Sequence, residues 1–533
     1  MRTSYLTSLT AISAGLLLSA CGGGGDSAPP APQGQLTLSG SATQITTQYD
    51  LPGSFVLHVK NTGPMGVTNI TPSAPAGTKV SNDACHSIVL AIGETCDVTY
   101  SYAGTAVASG NFAFNVNFSF DAKVGQSSLS VPYQFTESQW AKVSEWQGYR
   151  GNPKRTGYVP VTLDATRISE EYSGLLNSQT MQISDISEHN GNIFLVSRDV
   201  TGTPNLTALD QSSHKIAWSK NISMYVGSYY SQNLAPIAAA GNVYIAGSNY
   251  YGYLGSFSAK DGSLNTYSSN VGNVGSLTFV GKSIFATPGN CGSVTRTDPN
   301  TLQSLWKWSY TTPTVQPNVY MNFYASSVAA FDESIFVCGI SQSISDYSGP
   351  TSKYSNNQYL LVTQQDSVEK ETWIKNTLIN TDNYYSYTPG DVVLNEDSSL
   401  AFLSSQQGMV AFDLSKKAPI WAAGSGYSSI LYGNKVVYLL NGNSYSNTQV
   451  SAIDAKSGNT LWTGSISDGG RSSYVVTDSH LFIAGQNKTY AMNLSTKKID
   501  WTTDLSGNLA ITKAGKLVIT DTNRGVIGIY NLR

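Results

Sequence analysis

In "NFAFNVNFSF" (111–120), Phe112, Phe114, Val116, Phe118 and Phe120 alternate with other residues. A period of two puts all five on one face of a half-buried strand. Shorter runs of the same kind, "QLTLSG", "SFVLHVKN", "CDVTYSY" and "SSLSVPYQF", fill the stretch 35–136. Strands at this short spacing predict a β-sandwich there. Charged helical heptads are nearly absent along the chain, so the whole is read as all-β.

Beyond a connector at 137–145, "TESQWAKVSEW" and its surroundings, the pattern acquires a long period. In "VSAIDAKSGNTLW" (450–462), Asp454 is followed by Gly458 and Trp462. The Asp-to-Trp spacing recurs at Asp210 and Trp218, Asp298 and Trp306, and Asp413 and Trp421. Two copies keep Trp without Asp, at Gln365 with Trp373 and at Asn493 with Trp501. A worn copy has Ser258, Gly262 and a Tyr267 one place late, and a last one ends at Asn531. Successive anchors differ by 48, 40, 67, 48, 41, 39 and 38 residues. A repeat of about forty residues is one four-stranded propeller blade.

Each copy reads as strand, tight turn, strand. Asp454 is placed to accept hydrogen bonds from the turn's amides, and Gly458 to supply a positive φ. Trp462 on the next strand is large enough to fill the wedge between neighbouring blades. Eight copies of the same turn chemistry argue for structure, not for catalysis at every Asp. The copy at Asn531 lacks its fourth strand. The segment 146–173, with Tyr172 in place of Trp, stands where it can supply that strand and leave no open edge. Residues 146–533 are therefore expected to form an eight-bladed propeller, or a seven-bladed one if the copy at Ser258 is not separate.

The N-terminus speaks of export. Arg2 precedes an apolar stretch, Leu6 to Ala20, too short for a stable membrane span, so 1–20 is read as a signal peptide. Leu18-Ser19-Ala20-Cys21 resembles the lipobox of bacterial lipoproteins, which implies cleavage before Cys21 and its acylation, palmitate included. Gly22 after the cysteine implies, by the same resemblance, release to the outer membrane, on a face left open. Residues 21–34, rich in Gly and then Pro, form a tether. Of the other cysteines, Cys85 and Cys96 flank a turn at Ile92-Gly93-Glu94-Thr95 and read as a disulfide in an oxidising compartment. Cys291 and Cys338 remain as a second pair by subtraction or as two free buried thiols.

Composition removes several functions. A formal charge of −3 and a charged fraction of 12% leave no basic footprint for nucleic acid. Gly275 to Gly281-Lys282-Ser283 has one residue too many for a phosphate loop. Ser212-x-x-Lys215 matches one β-lactamase element but lies in a repeat turn. His58, His86, His189, His214 and His480 are scattered, which points to surface positions and gives metal catalysis no handle. No catalytic residue, metal site or cofactor is expected.

The segment around Cys85 and Cys96 resembles bacterial immunoglobulin-like modules related to the ASPM/SPD-2/Hydin group, which makes 35–136 an Ig-like sandwich and implies a spacer or interaction role. The repeat V-x-A-x-D-x-x-x-G-x-x-x-W with the leader "WQGYRGNPKRTGYVP" resembles the PQQ-like propeller superfamily of quinoprotein alcohol dehydrogenases and the outer-membrane assembly lipoprotein BamB. The dehydrogenases use an adjacent cysteine pair and a carboxylate-rich cation site; this chain has no Cys-Cys dipeptide.

Tyrosine with Asn, Ser and Gly crowds "SMYVGSYYSQN", "SNYYGYLGS", "VYMNFYASS" and "NTDNYYSYTPGD", a mixture suited to recognition surfaces and also to exported strands. The polar run 341–358, in the longest interval, is expected to be an elaborated binding loop. The resulting expectation is a lipid-anchored envelope protein whose propeller binds a protein or glycan. A BamB-like scaffold for an outer-membrane insertase is the alternative, and a quinoprotein dehydrogenase comes third.

Overall fold

The computed structural model describes residues 33–176, 180–226, 235–247, 253–269, 274–288, 293–309, 318–332, 335–349, 353–364, 370–379, 390–405, 408–424, 429–444, 447–522 and 524–533. The signal peptide, Cys21, nearly all of the tether, Cys291 and Gln365 lie outside them. The chain divides into two compact units, Met1–Glu137 and Ser138–Arg533.

The first unit has two four-stranded sheets. One orders its strands Leu36–Gly40, Gly53–Asn61, Thr95–Tyr102, Thr78–Asp83; the other Ile45–Gln48, Lys123–Thr136, Ala108–Phe120, Thr68–Pro72. The alternation read from the sequence is what joins them. All five apolar residues from Phe112 to Phe120 are buried, in one core with Phe55, Leu57, Val98 and Tyr100. Phe55 stacks on Phe114 with ring centroids 4.8 Å apart. Cys85 and Cys96 are disulfide-bonded, and Gly93 takes a φ of 81° in the turn between them.

In the second unit the described strands form eight further sheets. Their innermost strands are Thr180–His189, Ile237–Ala239, Val274–Val280, Val319–Ala330, Val392–Leu394, Ser429–Gly433, Gly470–Thr477 and Asn508–Ile511. Each innermost strand lies beside the next, and the eighth lies beside the first. The eighth sheet takes its outer strand from far upstream: Ser169–Leu175 pairs antiparallel with Val526–Asn531. Tyr172 there faces Ile529, as Trp462 faces Ala452 in the sixth sheet. The expectation for Tyr172 holds.

One expectation needs correcting. Residues 341–358 are not an elaborated loop. They lie largely within strands Ile335–Asp346 and Lys353–Gln364, paired from Ile335 opposite Gln364 to Asp346 opposite Lys353. Ser341, Ser343, Asn356 and Gln358 are buried there, so polar composition hid a strand. The connector has structure of its own. Ser138 caps a short 3-10 helix, Gln139–Lys142, whose Trp140 lies with Val143 in the same core as Leu517 and Ile529.

Candidate functional site

The repeat turns have the geometry their sequence implies. The Asp454 carboxylate accepts the Ser457 amide at 2.8 Å and the Ser457 hydroxyl at 2.7 Å, while Gly458 has a φ of 75°. Asp210 accepts amides from Ser212 and Ser213 at 3.1 and 2.7 Å; hydroxyl and amide donors together hold its pKa down to about 2. Asp298, Asp413 and Asn493 cap their turns in the same way. These side chains are committed to local hydrogen bonds.

The Trp residues do something the spacing did not reveal. Trp421 donates its indole N–H to the Ala455 carbonyl of the following sheet at 3.2 Å, and a Cβ on Gly458 would meet its ring at 2.7 Å. Trp218 repeats this on Ala259, at 3.1 Å, and on Gly262. Where the turn position is not glycine, the ring meets a side chain instead. Lys497 holds its ammonium 4.7 Å from the Trp462 centroid, and Tyr172 stacks on His214 at 5.4 Å, carrying the pattern across the seam. Trp306 packs on Phe336 and Trp501 on Tyr530. Trp373 breaks the pattern. It pairs with Leu361 and packs on Trp308, toward the third sheet, while Ile374 joins the core shared with the fifth.

The leader 146–161 runs across the innermost strands. Amides of Glu188, Ala238, Ala330, Leu394, Tyr432 and Val476 donate to the carbonyls of Trp146, Gln147, Pro153, Lys154, Thr156 and Gly157, at 2.6 to 3.0 Å. These donors belong to six different sheets. Arg155 reaches a seventh, donating to Leu277 O and Thr278 Oγ1 at 3.2 Å each. Tyr149 lies between two guanidiniums, Arg150 and Arg155, each 5.3 Å from its centroid, and donates to Asp391 at 3.0 Å. Arg150 pairs with the same carboxylate at 2.6 Å. Burial pushes Tyr149 up to about 12, pulls Arg155 down to about 10 and lifts Asp185 to about 7. The sequence marked this segment only as a leader; its seven-sheet reach has no periodic signal.

The other candidates are dispersed. His480 is buried, corrected from a surface position, and bridges Ser479 Oγ at 2.8 Å and Asp500 at 3.0 Å. Ser479 also accepts the Leu163 amide at 2.7 Å, so the group pins the leader's end to the seventh sheet. His189 is likewise mostly covered, 2.6 Å from Glu145. Cys338 is a buried free thiol that burial pushes up to about 12. Most of the tyrosine-rich stretches lie outside the described residues. Among the described residues, no group of three or more His, Cys, Asp or Glu is placed to hold a metal ion.

Comparison with known proteins adds a fold. The sequence model of the family described as outer membrane protein assembly factor BamB matches residues 446–530. No curated protein matches the chain. Among solved structures, quinohemoprotein alcohol dehydrogenase ADHIIG from Pseudomonas putida HK5 is similar with a TM-score of 0.51 at 9% identity, over 74% of this chain and 81% of that one. BamB from Moraxella catarrhalis gives 0.46 at 13% identity, over 69% and 98%. Sqt1 from Saccharomyces cerevisiae gives 0.49 at 11%, over 68% and 99%. The second unit is thus similar in fold to the PQQ-type propellers.

Proposed function

We propose that the protein is a lipid-anchored envelope component, held at the outer membrane through Cys21, whose eight-bladed propeller binds a protein or glycan without catalysis. Residues 35–136 act as an Ig-like spacer. The observation carrying this reading is the leader, which spends main-chain and charged groups on seven sheets and leaves the turns and outer clefts as the surfaces for recognition. A BamB-like role in outer-membrane protein assembly is the second reading, favoured by the family match over 446–530.

The residues present do not fit pyrroloquinoline quinone. The chain lacks adjacent cysteines, and Arg150 and Arg155 both hold their guanidiniums against the leader's own Tyr149 ring, 5.3 Å from its centroid. Asp391 pairs with Arg150, and among the described residues no carboxylate cluster forms around it.

Protease shaving of intact cells, with a periplasmic control, separates the two readings. Digestion of the propeller while the control survives supports surface recognition and removes the assembly role. Protection, with copurification of the insertase, reverses the order. Retention of labelled fatty acid by Cys21→Ser would overturn the anchor.

A further inference from the structure

In six sheets an aromatic ring faces the position two before the turn anchor and leans on the next sheet. The second sheet departs from this. It keeps the bulge of the other sheets, but Thr266 stands opposite Ser256, the ring's position, while Tyr267 stands opposite Gly255, on the other face, 5.9 Å from Tyr225. No ring therefore comes from Thr266 to the third sheet's turn at Leu302, which holds the position at which Gly262 and Gly458 receive Trp218 and Trp421. A cleft of about 390 Å³ opens between the outer strands of the second and third sheets.

We propose that this cleft is a saccharide-binding site, a reading that deepens the recognition role above and rests on it. Its volume is in the ~300–1,000 Å³ range of small-ligand sites. The lining offers four hydroxyls, Ser268, Thr295, Thr301 and Ser304, with the Gln303 amide and the Lys307 ammonium. Thr301 donates its proton to Asp298 at 3.1 Å and accepts the Gln303 amide at 3.4 Å, and Ser304 donates to the Trp306 carbonyl at 3.3 Å, so each oxygen keeps acceptor capacity for a ligand. Gln303 and Lys307 supply donors. Sugar hydroxyls both donate and accept, and match this mixed set. Leu302, buried, gives an apolar floor for a sugar's C–H face. Among the described residues no carboxylate lines the cleft to favour a cation. It also lacks the deep aromatic or aliphatic pocket on which peptide anchors depend.

The test is saturation-transfer NMR on the full mature chain with maltotriose and chitotriose as probes. Wild type should transfer saturation to the ring protons of at least one sugar. Thr266→Trp, which restores the ring found in other sheets, should cut that signal at least tenfold with an unchanged or higher melting temperature. Gln303→Ala, in an exposed turn, should weaken binding several-fold and serves if the Trp variant fails to fold. No transfer to either sugar, or equal transfer to wild type and both variants, overturns the site. Equal transfer would leave saccharide recognition standing elsewhere on the propeller. A protein partner that cross-links equally to wild type and Thr266→Trp, with neither sugar binding, removes the cleft and keeps the recognition role.

Discussion

Gly458→Ala probes how one sheet is fastened to the next. Two costs should add. An alanine at a φ of 75° is in the left-handed region, at about 1–2 kcal/mol. Its Cβ would also fall 2.7 Å from the Trp421 ring, and relieving such overpacking costs roughly 1–3 kcal/mol. The single substitution should therefore cost about 2–5 kcal/mol. Trp421→Ala alone should cost about 2–4 kcal/mol, below the ~3–5 of a fully buried ring because this one is partly exposed, and including the indole hydrogen bond. In the double variant only the backbone cost remains for residue 458. The two losses should then fall short of additivity by about 1–3 kcal/mol in urea unfolding followed by tryptophan fluorescence. Additivity within about 0.5 kcal/mol would refute the docking of the ring on the glycine.

Lys497→Ala should cost about 0.5–1 kcal/mol through the lost contact with Trp462, and Lys497→Gly less, because glycine relieves the φ of 63°; equal costs would contradict this. Asp185, lifted by burial to about 7, keeps its proton in the folded chain between about pH 4 and 7, where the unfolded chain has released it. Its contribution is complete near pH 4 and lost as pH rises through 7, a change of about 4 kcal/mol at most. Asp185→Asn should flatten that fall in melting temperature between pH 5 and 8.5, and a parallel profile would sink the assignment. Removing the Cys85–Cys96 bridge by double alanine substitution should destabilise the first unit by about 2–5 kcal/mol, read from its melting transition with and without reductant.

Local chemistry was the legible part. Phe112 to Phe120 announced a buried face because strand periodicity is written in consecutive residues. Asp454 and Gly458 announced their turn because its hydrogen bonds close within five positions. Tyr172 could be assigned because an unfinished last repeat demands a strand. Contacts between sheets were not legible. Nothing in the spacing says that Trp421 lies on Gly458, or that Trp373 turns back toward Trp308. The leader was hardest, since its partners, from Glu188 to Val476, are amides that any residue type provides. Ser341, Ser343, Asn356 and Gln358 misled because a buried polar strand reads as a loop.

The seam between Ser169–Leu175 and Val526–Asn531 imposes an order in time. Tyr530 donates to Glu170 across 360 positions of chain, and closing a loop of that length costs on the order of 5 kcal/mol in entropy. During synthesis the early strand and the leader emerge long before their last partners. Both must wait with unsatisfied main-chain groups, a hazard for pairing with other chains. Folding should therefore be slow and should finish only after Val526–Asn531 arrives. Loss of Val526–Asn531 should release Ser169–Leu175 as surely as deleting it, making that strand the latch of the whole ring.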